Sequence, residues 1–267
     1  MTPLGLIAGN RSLPFLFARE ARARGQRVVA VGFTNETDPA LAREVDELIW
    51  LRVGQLGALI KTFSERGVKQ CVMLGQIAPK NLFDVRPDFR AMGLLFRLKE
   101  KNAHTIFGAI GAELAKDGVE LIPAIPWLQA WMPGAGFHAG PKLTATQQSD
   151  LEFGSRIAKE VSRLEIGQTV VVKDGTVLAV EGFEGTDACL ERGGKLAGKA
   201  GGAVAVKVAK PDHDLRFDLP CMGTRTLEVA AGAGIQVLAF EAGRTILLDR
   251  PTLEADAARS KVSLASI

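Results

Sequence analysis

The chain has 267 residues, 47% of them hydrophobic and 24% charged, with a formal net charge of +3. That length makes one large domain or two ordinary ones, and the apolar share is enough to fill real cores. So small a net charge argues against an obligate nucleic-acid binder, which concentrates basic residues on one face.

From the start, residues 4–8 form a short apolar run that ends at Gly9-Asn10. Ser12 is placed to cap a helix that tolerates Pro14 in its first turn and stops at Gly25. Residues 27–32 read as the next buried strand, which makes a βαβ opening and favours a parallel sheet. Residues 46–51 follow as a third strand, 56–66 as a helix ended by Gly67, and 70–75 as another buried strand. A helix over 109–116 and a strand over 119–122 continue the alternation. The expectation is a Rossmann-like α/β domain over residues 1–125.

Prolines and glycines then punctuate residues 126–143, the best linker in the chain. Beyond it, residues 144–164 read as one helix. Asp174-Gly175 between two β-rich runs is the strongest hairpin signal present. Strands over 203–209, 235–240 and 245–248 and helices over 226–233 and 253–261 complete a second, mixed α/β domain over 144–267.

The opening MTPLGLIAGNRSLPF lacks a basic stretch followed by a long apolar one, so no signal peptide is expected. No apolar run nears the roughly 20 residues of a bilayer span. A cytoplasmic protein is expected, with contact at a membrane surface left open. Cys71, Cys189 and Cys221 are scattered and form no CxxC pair, which argues against zinc.

The densest chemistry lies in residues 204–226, VAVKVAKPDHDLRFDLPCMGTRT. Asp212, Asp214 and Asp218 stand among Lys207, Lys210, Arg216 and Arg225, with apolar residues on either side. Carboxylates that can hold a divalent cation, beside cations that can hold phosphate, suit phosphoryl chemistry. The loop lacks the glycine and terminal glutamate of an EF-hand, and Mg²⁺ suits it better than Ca²⁺. Lys207 lies between valines, where an unpaired ammonium is costly, so it must reach a phosphate or a carboxylate. A structural ion-pair network is the other reading of the same residues.

Other turns carry weaker signals. Gly9-Asn10 opens a helix and Gly75-Gln76 follows a strand, so both fall at the carboxyl edge of one sheet, where such folds bind ligands, with Lys80 close by. The dinucleotide fingerprint needs three spaced glycines and only Gly9 is present, so NAD is not expected. Residues 86–101 are basic at both ends and apolar between. They fit an amphipathic helix on an anionic membrane or under acyl chains, and equally a core-facing helix. Glu181, Glu184, Thr186 and Asp187 form a second acidic loop, in which Thr186 or Asp187 suits a helix cap.

Together, LIAGNRSLP, LGQI, SDLEFG, IGQTVVV, LAVEGFEGTDA and the 204–226 stretch resemble the LpxI family of UDP-2,3-diacylglucosamine pyrophosphatases. The likeness runs in order over nearly the whole chain and is strongest over 146–250. It implies a two-domain enzyme with its active site between the domains. The implied reaction is Mg²⁺-dependent hydrolysis of UDP-2,3-diacylglucosamine to UMP and 2,3-diacylglucosamine 1-phosphate (lipid X), with water attacking the phosphorus nearer the sugar. That places the protein in lipid A synthesis in Gram-negative bacteria, in the cytoplasm and at the inner-membrane surface. A sugar-nucleotide or dinucleotide-binding protein without hydrolase activity is the alternative. One departure is Asn102-Ala103-His104, where the family pattern has a Gly-Asp-Asp-like turn.

Residue by residue, the resemblance makes Asp218 the first candidate for an essential carboxylate, as metal ligand or water-orienting base, and Asp214 the second. Asp187 completes the implied metal set, with Glu181 beside it. Lys207, Lys210 and Arg216 would neutralise the diphosphate. Substrate contacts fall to Gly9, Asn10, Gly75, Gln76 and Lys80 in the first half. In the second half they fall to Thr146, Gln147, Gln168, Glu181, Thr186, Lys210 and Arg225.

Overall fold

A computed structural model describes residues 2–77, 87–100, 103–209, 214–217 and 219–267. The chain divides into two compact units, each α/β. The first comprises Met1–Leu128 and the described residues of the stretch 214–218; the second comprises the rest.

In the first unit, strands β1 (Leu4–Ala8), β2 (Val28–Phe33), β3 (Glu47–Leu51), β4 (Gln70–Leu74) and β5 (Glu120–Leu121) form one sheet in the order β3-β2-β1-β4-β5. Every pairing is parallel. β1 is buried along its whole length, as expected of a parallel strand covered on both faces. Helix α1 (Leu13–Ala23) starts after Ser12 with proline in its first turn. Helices α2 (Leu56–Glu65), α3 (Phe89–Arg97) and α4 (Ala103–Ala115) follow. Leu59, Ile60 and Phe63 of α2, Leu94 of α3 and Leu114 of α4 share one core with Ile7, Val29, Val31 and Cys71 of the sheet. Burial there pushes the Cys71 thiol up to about 12, so it stays a neutral packing group. A short helix α5 (Ile125–Leu128) brings Trp127 edge-on to Phe17 of α1.

Within the 86–101 segment, α3 has both buried and exposed apolar residues. Ala91 and Leu94 face the core, while Phe89 is 91% and Phe96 84% exposed. Asp88 caps the helix by accepting from the Ala91 N–H at 2.9 Å and ties it to α2 by accepting from the Gly57 N–H at 2.7 Å. α4 starts at Ala103, six residues before the expected 109.

In the second unit, β6 (His138–Ala139) lies within the stretch expected as linker and pairs antiparallel with β13 (Ser263–Ser266), the strand that closes the chain. Between them come α6 (Ala145–Arg163), β7 (Thr169–Lys173), β8 (Thr176–Val180), α7 (Thr186–Leu196), β9 (Ala203–Lys207), β10 (Cys221–Met222), α8 (Thr224–Gly232), β11 (Ile235–Phe240), β12 (Ile246–Leu247) and α9 (Arg250–Ser260). The main sheet has the order β6-β13-β11-β9-β7-β8, and β10 pairs with β12 apart from it. β9, β11 and β13 run parallel, while β7 is antiparallel to both its neighbours.

The expected hairpin is present. Asp174 and Gly175 both take positive φ, 49° and 69°, as a type I′ turn demands. Buried Asp150 of α6 accepts from both turn N–H groups at 2.8 Å. The strand period of two sorts the sheet onto two cores. Val170, Val172, Val204 and Val206 face α6. Val171, Ala179, Ala203 and Ala205 face the side of α7, α8 and α9.

Candidate active site

That alternation decides what meets at the carboxyl edge of the second sheet. Thr169, Glu181 and Lys207 continue the parity of Val171, Ala179 and Ala205, so all three emerge on the α7 and α8 side. Thr186, the first residue of α7, stands over them. Lys207 Nζ donates to Thr186 Oγ1 at 3.3 Å and to the Cys221 carbonyl at 3.4 Å. The Thr186 hydroxyl donates to Glu181 Oε1 at 3.0 Å. The Lys207 side chain therefore meets a hydroxyl and a carbonyl, and reaches the expected carboxylate only through Thr186. Glu181 is 6% exposed, and its Oε2 is buried with no hydrogen-bond partner.

One residue into α7, Asp187 accepts from Arg225 Nε at 3.2 Å, which joins the first turns of α7 and α8. Arg192, further along α7, donates to Glu184 at 2.6 Å and to the Val180 carbonyl at 2.8 Å. The Arg192 bond holds the Glu184 carboxyl below its ordinary value. Lys207, Glu181, Thr186, Asp187 and Arg225 are thus gathered on one edge.

Three expected residues are not gathered there. Gln168 has the parity of Val170, on the α6 side, although its Oε1 is also buried and unpartnered. Thr146 and Gln147 lie in the first turn of α6, near the hairpin, at the opposite end of the sheet. A five-residue strand separates the two edges by roughly 16 Å. Gln147 completes a capping box with Thr144, accepting from its N–H at 2.9 Å, and donates to Gln236 at 2.9 Å. Its amide serves the helix start.

The first unit holds Asp214 and Arg216. The guanidinium grips the carboxylate, with Nε to Oδ1 at 2.8 Å and a terminal nitrogen to Oδ2 at 2.5 Å, and its pKa is raised by that bond. Phe217 anchors the stretch by packing on Phe107 of α4, with ring centroids 5.6 Å apart. Both Asp214 oxygens accept from Arg216. Lys80, Lys210, Asp212, His213, Asp218 and Asn102 lie outside the described residues.

The carboxyl edge of the first sheet brings Asn10 and Gln76 together, with the Asn10 N–H donating to the Gln76 carbonyl at 2.8 Å. A Cβ on Gly9 would sit 2.5 Å from that carbonyl oxygen, so the approach requires glycine. Gly75 has φ +89° and faces the Asn10 backbone from the other side. Asn10 Nδ2 donates to Glu36 at 2.8 Å.

No group of three His, Cys, Asp or Glu side chains placed to hold a metal ion occurs among the described residues. Hard-cation chemistry fits at one point. Mg²⁺ takes one or two carboxylate oxygens and completes its shell with water and phosphate, and Glu181 Oε2 is a carboxylate oxygen with no donor.

Comparison with known proteins adds the lineage. Residues 3–131 match the LpxI N-terminal domain and residues 134–265 the LpxI C-terminal domain. The UDP-2,3-diacylglucosamine pyrophosphatase LpxI of Caulobacter vibrioides is 30% identical over 266 residues, which cover 96% of this chain and 94% of that protein. This chain belongs to the LpxI family. The two-domain α/β expectation drawn from the LpxI motifs therefore stands. Solved structures give only remote likeness. The biotin carboxylase domain of a single-chain bacterial carboxylase is 14% identical with a TM-score of 0.27. The biotin carboxylase subunit of pyruvate carboxylase is 12% identical with a TM-score of 0.26. The chain spans 43% and 36% of those two chains, and neither likeness carries an argument about the LpxI fold.

Proposed function

We propose that this chain hydrolyses the diphosphate of UDP-2,3-diacylglucosamine to UMP and 2,3-diacylglucosamine 1-phosphate, with Mg²⁺, in lipid A synthesis. The observation that carries the reading is the 30% identity to the Caulobacter enzyme along almost the whole of both chains. The edge built by Glu181, Thr186 and Lys207 supports it chemically.

Phosphoryl transfer depends mainly on positioning and on stabilising charge. An ammonium has three N–H donors. Lys207 uses two of them on Thr186 and Cys221, which leaves one for a phosphate oxygen. Arg225, held by Asp187 at the start of α8, adds a second cation on the same edge. Arg216, set by Asp214, and Lys210 are the further cations proposed for the diphosphate. Asp218 is the proposed water-orienting carboxylate. Asp187 and Asp218 are the proposed Mg²⁺ ligands, with Glu181 Oε2 as a further hard oxygen. The bound ion would supply positive charge to the diphosphate.

The substrate's acyl chains place the work at a lipid surface, on the cytoplasmic face of the inner membrane. Phe89, Met92 and Phe96 along α3, followed by Arg97 and Lys99, support that contact. None of the described helices is long and apolar enough to cross a membrane.

The deciding experiment is release of UMP from UDP-2,3-diacylglucosamine by the purified protein, with Mg²⁺ and with chelator. The expected result is UMP and the sugar 1-phosphate in equal amounts, abolished by chelator. Intact substrate after prolonged incubation with Mg²⁺ overturns the reading.

A further inference from the structure

We infer that the apolar rim made by Leu164, Ile166 and Phe183, at the edge of the second sheet that carries Lys207, takes an acyl chain of the substrate. This rests on the proposed diacyl UDP-sugar substrate and gives its hydrocarbon a place beside its diphosphate.

Two turns leave that edge side by side. β7 runs antiparallel to β8 and β9, so it begins where they end. The turn from α6 into β7 carries Leu164 and Ile166, and the turn from β8 into α7 carries Phe183. Their main chains meet at Gly167, where a Cβ would lie 2.0 Å from the Glu181 carbonyl oxygen, so only glycine allows the approach. Both turns are pinned. The Leu164, Glu165 and Ile166 N–H groups donate to the Glu160, Ser162 and Val161 carbonyls at 3.0, 3.0 and 3.2 Å. Beside Phe183, Glu184 accepts from the Gly182 N–H at 3.1 Å and from Arg192 at 2.6 Å, and the Gly185 N–H donates to the Gly182 carbonyl at 3.4 Å.

Polar residues are the usual occupants of such turns. Here Phe183 is fully exposed, and Leu164 and Ile166 are each more than half exposed. One exposed apolar side chain needs no explanation, but three in two adjoining turns do. Phe183 stands between Glu181 and Thr186, the residues that tie down Lys207, and only about 11 Å of chain at most separates it from Thr186. A phosphate on the Lys207 ammonium therefore brings the rest of its molecule to the rim. Leu164 and Ile166 are aliphatic and offer no ring for stacking, so the rim suits hydrocarbon better than the uracil ring. Nor does it suit an anionic bilayer. Arg163 and Arg192 are already paired with Glu160 and Glu184, and Glu165 adds an acid. The exposed face of α3 differs, because Arg97 and Lys99 follow its aromatic residues.

The probes are 2,3-diacylglucosamine 1-phosphate with short acyl chains and glucosamine 1-phosphate, each titrated calorimetrically into the protein. Each acyl methylene covered is worth about fourfold in affinity, so wild type should bind the diacyl compound about a hundredfold or more tighter. Phe183→Ser and Ile166→Ser change exposed positions and should fold, which melting curves check. Each should weaken the diacyl compound by roughly fivefold to tenfold and leave glucosamine 1-phosphate unchanged. Equal binding of the two compounds by wild type overturns the inference. So does wild-type affinity for the diacyl compound in the double variant. Lost sedimentation with anionic vesicles in place of lost titration makes the rim a bilayer contact and also overturns it. Titration needs no turnover, so the two readings fail separately. Absence of UMP release overturns the hydrolase, and unchanged binding by the double variant overturns only the rim.

Discussion

Lys207 and Glu181 are joined through a single hydroxyl. The ammonium donates to Thr186 Oγ1 at 3.3 Å, and that hydroxyl donates to Glu181 Oε1 at 3.0 Å. A lysine on β9 and a glutamate just beyond β8 are thus fixed by the first residue of α7. The hydroxyl proton goes to the carboxylate and the oxygen lone pair to the ammonium, so the link needs a group that both donates and accepts.

Replacing that group tests the arrangement. Thr186→Val keeps the shape and removes the bridge, leaving the buried Glu181 Oε1 without a donor. Stability should fall by about 1–3 kcal/mol in urea unfolding. Turnover should fall roughly tenfold to a hundredfold, below the 10²–10³ of a direct charge-stabilising donor. Thr186→Ser should recover most of both. A Thr186→Val protein with wild-type turnover would exclude the bridge from catalysis.

Much of this edge was legible in the sequence, for reasons specific to each residue. An ammonium between valines had to find a partner, and Lys207 did. Its partner is 21 residues away along the chain, and only the packing of α7 on the sheet selects a hydroxyl. The Asp-Gly hairpin and the glycine turns after β1 and β4 were visible because they answer to local backbone demands. β13 was missed. Ser263–Ser266 is short and carries two serines, and it becomes a strand by pairing between β6 and β11. The charged stretch 204–226 is continuous in sequence, yet residues 214–217 belong to the first unit and Lys207 and Arg225 to the second.

Acid should loosen the attachment of α3 to α4. Glu113 accepts from Lys116 at 2.5 Å and from Arg90 of α3 at 2.9 Å, and these bonds lower its pKa from the ordinary 4.5. A carboxyl with a lowered folded pKa stabilises above its unfolded value, and the gain is lost as pH falls through the folded one. Wild type should therefore lose melting temperature between about pH 5 and pH 3. Glu113→Gln should start lower at pH 7, by about 1 kcal/mol, and show a flatter acid limb. Parallel melting curves for the two proteins across that range would contradict the assignment.

The two faces of α3 should respond differently to the same change. Leu94 is buried against Leu59 and its neighbours, so Leu94→Ser should cost about 3 kcal/mol or more. Phe96 is 84% exposed, and Phe96→Ser should leave the melting temperature within about a degree. Sedimentation with anionic phospholipid vesicles should show the reverse order of effect, with Phe89→Ser and Phe96→Ser together releasing most of the bound protein. Undiminished vesicle binding by that double variant would remove α3 from the lipid contact.

Asp214 and Asp218 are proposed for different tasks. Asp214 is gripped by the Arg216 guanidinium through both oxygens and also accepts from the Arg216 N–H at 3.1 Å. Asp214→Asn should weaken that fork, costing about 1 kcal/mol of stability and a partial loss of turnover through Arg216. Asp218 is the acid proposed to act on water. Asp218→Asn should cut turnover by roughly 10²–10³ or more, with the melting curve unchanged. Added Mg²⁺ should not rescue it, because a metal ligand and a water-orienting base are both lost with the same carboxylate. Near-wild-type turnover in a folded Asp218→Asn protein would take Asp218 out of the mechanism and leave Glu181 and Asp187 as the acids to test next.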